Sequence, residues 1–309
     1  MKTLKSALCV PAGLAIGLAI LSQPLQAASI IVNDSFADGD RASTGALDAD
    51  WWSSSQTSGS NVQADIGGLT LVTGSSGRGM HATFAAQTLD IGDSITVTYS
   101  FTTPQTIGTN RNTGFRIALM DLNNPGLAAD QSSSSSSVNP LYVGQPGYFT
   151  GFDVDSTGGG SQDVDFRKHD VTDPGGRFLG TTSEWDSLGS SSDAGYSFSG
   201  NTDYVGVFSI TRTGADSLDL FSSLSQGGTL LDSHTESDNS DIANNFGMLG
   251  FWVNSNTFGS SNSAGDPDNG LTFTNVLIES TVSPIPVPAA AWLFGSALIG
   301  LSVVRRKRA

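Results

Sequence analysis

Cysteine is all but missing: Cys9 is the one thiol in 309 residues. It lies inside the apolar N-terminal stretch, so a chain trimmed of that stretch has no disulfide, no Cys–metal site and no thiol nucleophile. Bases are scarce as well, 14 Lys and Arg against 29 Asp and Glu. All 29 acids fall within residues 28–283, where only eight bases accompany them, so this body carries about −21. Such a surface repels phosphate backbones and excludes nucleic acid as a partner. Glutamate is rare, limited to Glu184, Glu236 and Glu279. The other acids are Asp, whose short carboxylate bonds nearby backbone N–H groups in turns, and this points away from helices. His81, His169 and His234 sit in separate strand-like segments without metal-ligand spacing and read as surface or cross-strand residues. There is no G-x-S-x-G elbow.

What is present organises the chain into three parts. Residues 1–27 read as a secretory signal: Lys2 and Lys5 precede an apolar run from Ala7 to Leu21, and Leu25-Gln26-Ala27 is a small-residue cleavage site. Cys9 does not stand at that junction, so no N-terminal lipid is expected. Residues 284–309 open with Pro284-Ile285-Pro286-Val287-Pro288, continue without charge to Val304, and end in Arg305-Arg306-Lys307-Arg308. The uncharged stretch, about 288–304, is just long enough for a transmembrane helix. The basic end places the body on the outer side of the membrane.

The body, 28–283, reads as strands and turns. From Ser94 to Thr102, Ile95, Val97, Tyr99 and Phe101 alternate with Ser and Thr at period two. Phe115 to Leu119, Tyr148 to Val154 and Tyr204 to Thr211 repeat the pattern. Ser217 to Leu224 and Thr229 to Thr235 flank Gln226-Gly227-Gly228, a hairpin turn. Met248 to Val253 is apolar on both faces, as a central strand is. Leu271 to Ile278 closes the body, with its alternation slipping at Thr274-Asn275, a bulge signal. No helical period and no repeat is found. The fold class is all-β, an antiparallel two-sheet jelly-roll sandwich.

Two resemblances add to this reading. The segment Val287-Pro288-Ala289-Ala290-Ala291-Trp292-Leu293-Phe294-Gly295-Ser296 resembles the PEP-CTERM sorting signals of Gram-negative bacteria, although Ile285 and Val287 stand where a glutamate is usual between prolines. It implies Pro286, Val287, Pro288 and Arg305 to Arg308 as the sorting signal, and Sec export with a transient stay in the inner membrane. It further implies an exosortase-type membrane protease as partner, and a final place on the cell surface or in an exopolysaccharide matrix. Separately, Asn33-Asp34-Ser35-Phe36-Ala37-Asp38-Gly39, followed by Trp51-Trp52, and the terminal Phe273-Thr274-Asn275-Val276 resemble the opening and closing strands of concanavalin A-like (LamG-like) domains. That resemblance implies pairing of the first and last strands and a fold used for glycan or protein binding.

Candidate chemistry is weighed on this frame. Glycoside hydrolysis needs two carboxylates facing one cleft. No Glu pair at i, i+2 or i+4 exists, and Glu184-Trp185-Asp186 is the nearest approach. Asp153/Asp155 and Asp163/Asp165 have i, i+2 spacing but read as solvated acids beside a hairpin. A structural Ca²⁺ would take Asp34, Asp38 and Asp40 with Asn275 if the end strands pair, and Asp266 to Gly270 is a second acidic loop. Trp51, Trp52, Tyr142 and Trp185 fall in expected loops and are the candidate sugar platforms, whereas Trp252 is expected in the core. The expectation is a non-enzymatic, exported protein that binds carbohydrate or acts in adhesion. The alternatives are a structural matrix protein without a ligand site, and a polysaccharide hydrolase or lyase.

Overall fold

The computed structural model describes residues 28–73, 76–108, 114–133, 138–154, 164–173, 175–191, 196–259 and 268–281. Both expected terminal segments, 1–27 and 284–309, lie outside them, including Pro286, Val287, Pro288, Arg305, Arg306, Lys307 and Arg308. Among the described residues no helix is long and apolar enough to cross a membrane.

The described strands are β1 (Ala28–Asp34), β2 (Asp50–Ser53), β3 (Val62–Asp65), β4 (Gly68–Leu71), β5 (Arg78–Thr88), β6 (Ser94–Thr102), β7 (Phe115–Met120), β8 (Gly147–Phe152), β9 (Val164–His169), β10 (Trp185–Ser190), β11 (Asp203–Arg212), β12 (Leu218–Gln226), β13 (Thr229–Asp238), β14 (Asn245–Val253) and β15 (Leu271–Thr281). They form an antiparallel two-sheet sandwich. One sheet has eight strands in the order β13-β12-β11-β6-β15-β4-β3, with β1 also on β15; the other has seven in the order β10-β9-β8-β7-β14-β5-β2.

Local sequence accounts for these elements. In β6 the alternation of Ile95, Val97, Tyr99 and Phe101 with Ser and Thr becomes strict alternation of buried and half-buried positions. The β12–β13 hairpin turns on Gly227 and Gly228, whose φ values of +56° and +80° suit the tight turn that matches strand twist. The first and last described strands pair as the resemblance implied, Asp34 with Val276 and Asn33 with Leu277. The slip at Thr274 is a bulge, since the β15–β6 register shifts between Phe273 and Asn275.

The main core lies between the sheets. A second apolar cluster lies on the far face of the seven-stranded sheet, where Leu127, Tyr142, Phe178 and Leu179 from two connecting segments cover Ala118, Phe149, Met248 and Trp252. This cover explains why β7, β8 and β14 are buried on both faces, and Trp252 is core as expected.

Candidate functional site

The cover also redraws the candidate sugar platforms. Trp51 and Trp52 belong to β2 rather than to a loop, and Trp185 opens β10. Trp51 is 1% exposed, between Phe36 and Phe251. Tyr142, 1% exposed, packs on Phe178 at 4.7 Å between ring centres. Trp185, 3% exposed, donates its indole N–H to the Phe178 carbonyl at 3.2 Å. None of these three rings presents a face to solvent: Trp51 lies in the main core between the sheets, and Tyr142 and Trp185 belong to the second cluster on the far face of the seven-stranded sheet. Trp52 alone is half-exposed.

The four residues expected to converge on calcium do not fit an ion. Asp34 is buried and accepts the Trp51 indole N–H at 2.8 Å and the Phe36 and Ala49 amides at 2.9 and 3.4 Å. Burial pushes its carboxyl above the ordinary Asp value. Asp38 accepts the Thr44 hydroxyl at 2.6 Å and Asp40 the Arg41 amide at 2.6 Å, so both close local turns. Asn275 offers its amide N–H groups, not its oxygen, to Asn33 and to the Asp34 carbonyl. Among the described residues no three His, Asp or Glu side chains gather as a metal site. In the second acidic loop, Asp268 binds the amide and hydroxyl of Thr106 at 2.7 and 2.8 Å; Asp266, like Asp155 and Asp163, lies outside the described residues.

What the sequence reading missed is on β13. Asp232, His234, Glu236 and Asp238 recur at period two, and their register partners Leu224, Ser222, Leu220 and Leu218 show that all four face inward. They form a polar seam where β13, an edge strand of one sheet, meets β9 and β10 at the edge of the other. His234 stacks on Phe166 at 5.8 Å and pairs with Glu236 at 2.9 Å. Asp232 accepts the Ser191 hydroxyl at 3.0 Å. Asp238 accepts the Tyr148 hydroxyl at 2.8 Å and Lys168 Nζ at 2.9 Å, and Lys168 also donates to the Ser240 carbonyl. Burial first, then Asp238, pushes the Tyr148 phenol well above its ordinary value, so it keeps its proton. The signal was the D-x-H-x-E-x-D alternation itself, an inward face written in charged residues.

At the Asp238 end the seam opens into a cleft of ≈ 320 Å³ lined by Lys168, His169, Asp170, Thr172, Asp186 and the 238–243 segment, among others. Trp185 and Asp186 point to opposite sides of β10, the ring into the cover and the carboxylate into the cleft. Asp170 accepts the Thr172 amide and hydroxyl at 2.9 and 2.7 Å, and these bonds hold its carboxyl below the ordinary Asp value. The cleft thus offers carboxylate and hydroxyl acceptors beside one ammonium donor, a set that hydrogen-bonds hydroxyl-rich ligands.

Three further buried ionisable groups serve the cover. His81, expected at the surface or across strands, is fully buried in β5. Its Nε2–H donates to the Leu127 carbonyl at 2.6 Å, leaving Nδ1 to accept from Tyr142 at 3.4 Å. Burial depresses its imidazole to about 4. Arg116 donates to the Leu179 carbonyl at 2.5 Å and lies over the Phe149 ring. Glu184 meets Arg177 at 2.8 Å.

No protein-family model matches the chain, and no curated protein matches it in sequence. Solved structures with a similar trace include basic winged bean lectin with Tn-antigen, 12% identical over 84% of this chain and 100% of that one, TM-score 0.47. Others are endo-1,3-beta-glucanase from Streptomyces sioyaensis, 16% identical over 90% and 100%, TM-score 0.46, and the VIP36 exoplasmic/lumenal domain in its Ca²⁺/Man-bound form, 8% identical over 76% and 84%, TM-score 0.47. At these distances the similarity carries no assignment of ligand or chemistry.

Proposed function

We propose that this chain is an exported, exosortase-sorted surface or matrix protein of a Gram-negative bacterium, without enzymatic activity, whose sandwich binds carbohydrate through the acidic cleft. The PEP-CTERM-like tail and the signal-like start support the export and sorting half of this reading. The single observation that carries the binding half is the cleft, where Asp170, Thr172, Asp186 and Lys168 surround one opening. Carboxylates accept from sugar hydroxyls in strong charge-assisted bonds, and an ammonium donates back. The test is a soluble-glycan array with the purified protein, followed by product analysis on each hit. Binding that weakens about tenfold in Asp186→Asn or Asp170→Asn, the loss of one charged hydrogen bond, supports the reading. New reducing ends or unsaturated products would replace it with a hydrolase or lyase.

A second reading, a structural matrix protein with no ligand site, is favoured by the burial of Trp51, Tyr142 and Trp185. An array with no hit at all would select it.

A further inference from the structure

The eight-stranded sheet has an outer face that belongs to neither apolar cluster. Two adjacent rows cross it in register, Ser223–Val207–Thr98–Leu277 and Ser225–Val205–Ser100–Asn275, without one charged side chain. In a body of about −21, two neutral rows across four strands are a departure from the rest of the surface. The next row, Phe221–Ser209–Thr96–Glu279, adds Phe221, which with Val205 is exposed at 38% and 39%, and bounds the neutral rows with Glu279. Hydroxyls on the same face bond to one another across strands, Thr96 with Ser209 at 2.8 Å and Thr70 with Thr272 at 2.9 Å, so the side chains stand in fixed positions. Strands lie about 4.7–4.9 Å apart and same-face residues about 6.6–6.8 Å apart; hydroxyl and apolar points therefore repeat at short, regular intervals.

We infer that this face is a second binding surface, for the flat side of a neutral, insoluble polysaccharide. Three observations select that occupant. The rows have no charge to offer a polyanion or polycation, and the surrounding acids repel the former. An open sheet face encloses no small sugar, whereas a repeating chain engages many weak points at once. Apolar and hydroxyl groups alternate here, as C–H faces and hydroxyls alternate on such a polymer. The inference goes beyond the cleft and rests on the carbohydrate reading only for the class of ligand.

The experiment is co-sedimentation of the purified protein with microcrystalline cellulose and with chitin. Val205→Glu and Phe221→Ala alter exposed positions, and circular dichroism and the unfolding midpoint verify that each variant folds. The expected result is retention of the wild type on at least one solid, reduced about tenfold by Val205→Glu and severalfold by Phe221→Ala. Retention on neither solid, or retention indifferent to both face variants, overturns the inference. So does a dimer in sedimentation velocity that Val205→Glu dissociates, since the occupant is then a second copy. Soluble-glycan binding lost in Asp186→Asn without retention on solids overturns this inference alone. Retention on solids without soluble-glycan binding overturns the cleft alone.

Discussion

Glu184 is 1% exposed at its side chain while its partner Arg177 is 33% exposed, and that asymmetry sets the outcome of breaking the pair. Removing the guanidinium strands a buried carboxylate, whereas amidating the carboxylate leaves a neutral group in the same place. Arg177→Ala is therefore expected to cost about 3 kcal/mol in urea unfolding, and Glu184→Gln clearly less. Equal losses would mean that the buried charge is not what the arginine serves. His81 has a folded value of about 4 against an ordinary 6.5. The unfolded chain takes up the proton first, so stability is full above pH 6.5 and falls as pH drops toward 4, by roughly 3 kcal/mol. His169, lowered by burial as well, works in the same direction, while the raised carboxyl of Asp34 works in the opposite one and only at pH values above 3.8. Urea midpoints measured between pH 4 and 7.5 follow this slope in the wild type, and His81→Gln flattens it.

Elements differ in how far their residues reveal them. β6, β14 and the Gly227-Gly228 hairpin are legible because alternation, continuous apolarity and turn chemistry are local properties. The burial of Tyr142 and Trp185 was not, because it depends on segments that return over the seven-stranded sheet from far along the chain, and that of Trp51 depends on β2 bringing it against Phe36 and Phe251 in the core between the sheets. The β13 seam was half legible: its strand was read from the Gly227-Gly228 hairpin, but only pairing with β12 shows that Asp232, His234, Glu236 and Asp238 turn inward. The cover hangs on one close approach, Phe178 over Gly250, where a Cβ would stand 2.3 Å from the Phe178 ring. Phe178 itself holds φ +51° to reach it. Gly250→Ala is expected to destabilise by about 1–3 kcal/mol through overpacking and to raise the His81 value toward 6.5 as water reaches the ring. An NMR titration of His81 reads this directly; an unchanged value would show that the cover does not depend on that contact.

At the scale of the whole molecule, the account joins an acidic, thiol-free sandwich to a tail read as a sorting signal. In a host with an exosortase-type protease, the wild type is expected to leave the membrane fraction without residues beyond the Pro-rich motif, while a Pro286→Ala/Pro288→Ala variant stays there at full length. Intact mass spectrometry of the two fractions distinguishes these outcomes, and release of the variant at the same mass would remove the motif from the account. The central claim is that the cleft between the sheets holds carbohydrate. The most direct measurement is calorimetric titration of the strongest array glycan into the purified wild type and into Asp170→Asn/Asp186→Asn. The account predicts saturable one-site binding by the wild type, weakened tenfold or more in the double variant. Equal affinity of the two proteins would contradict it.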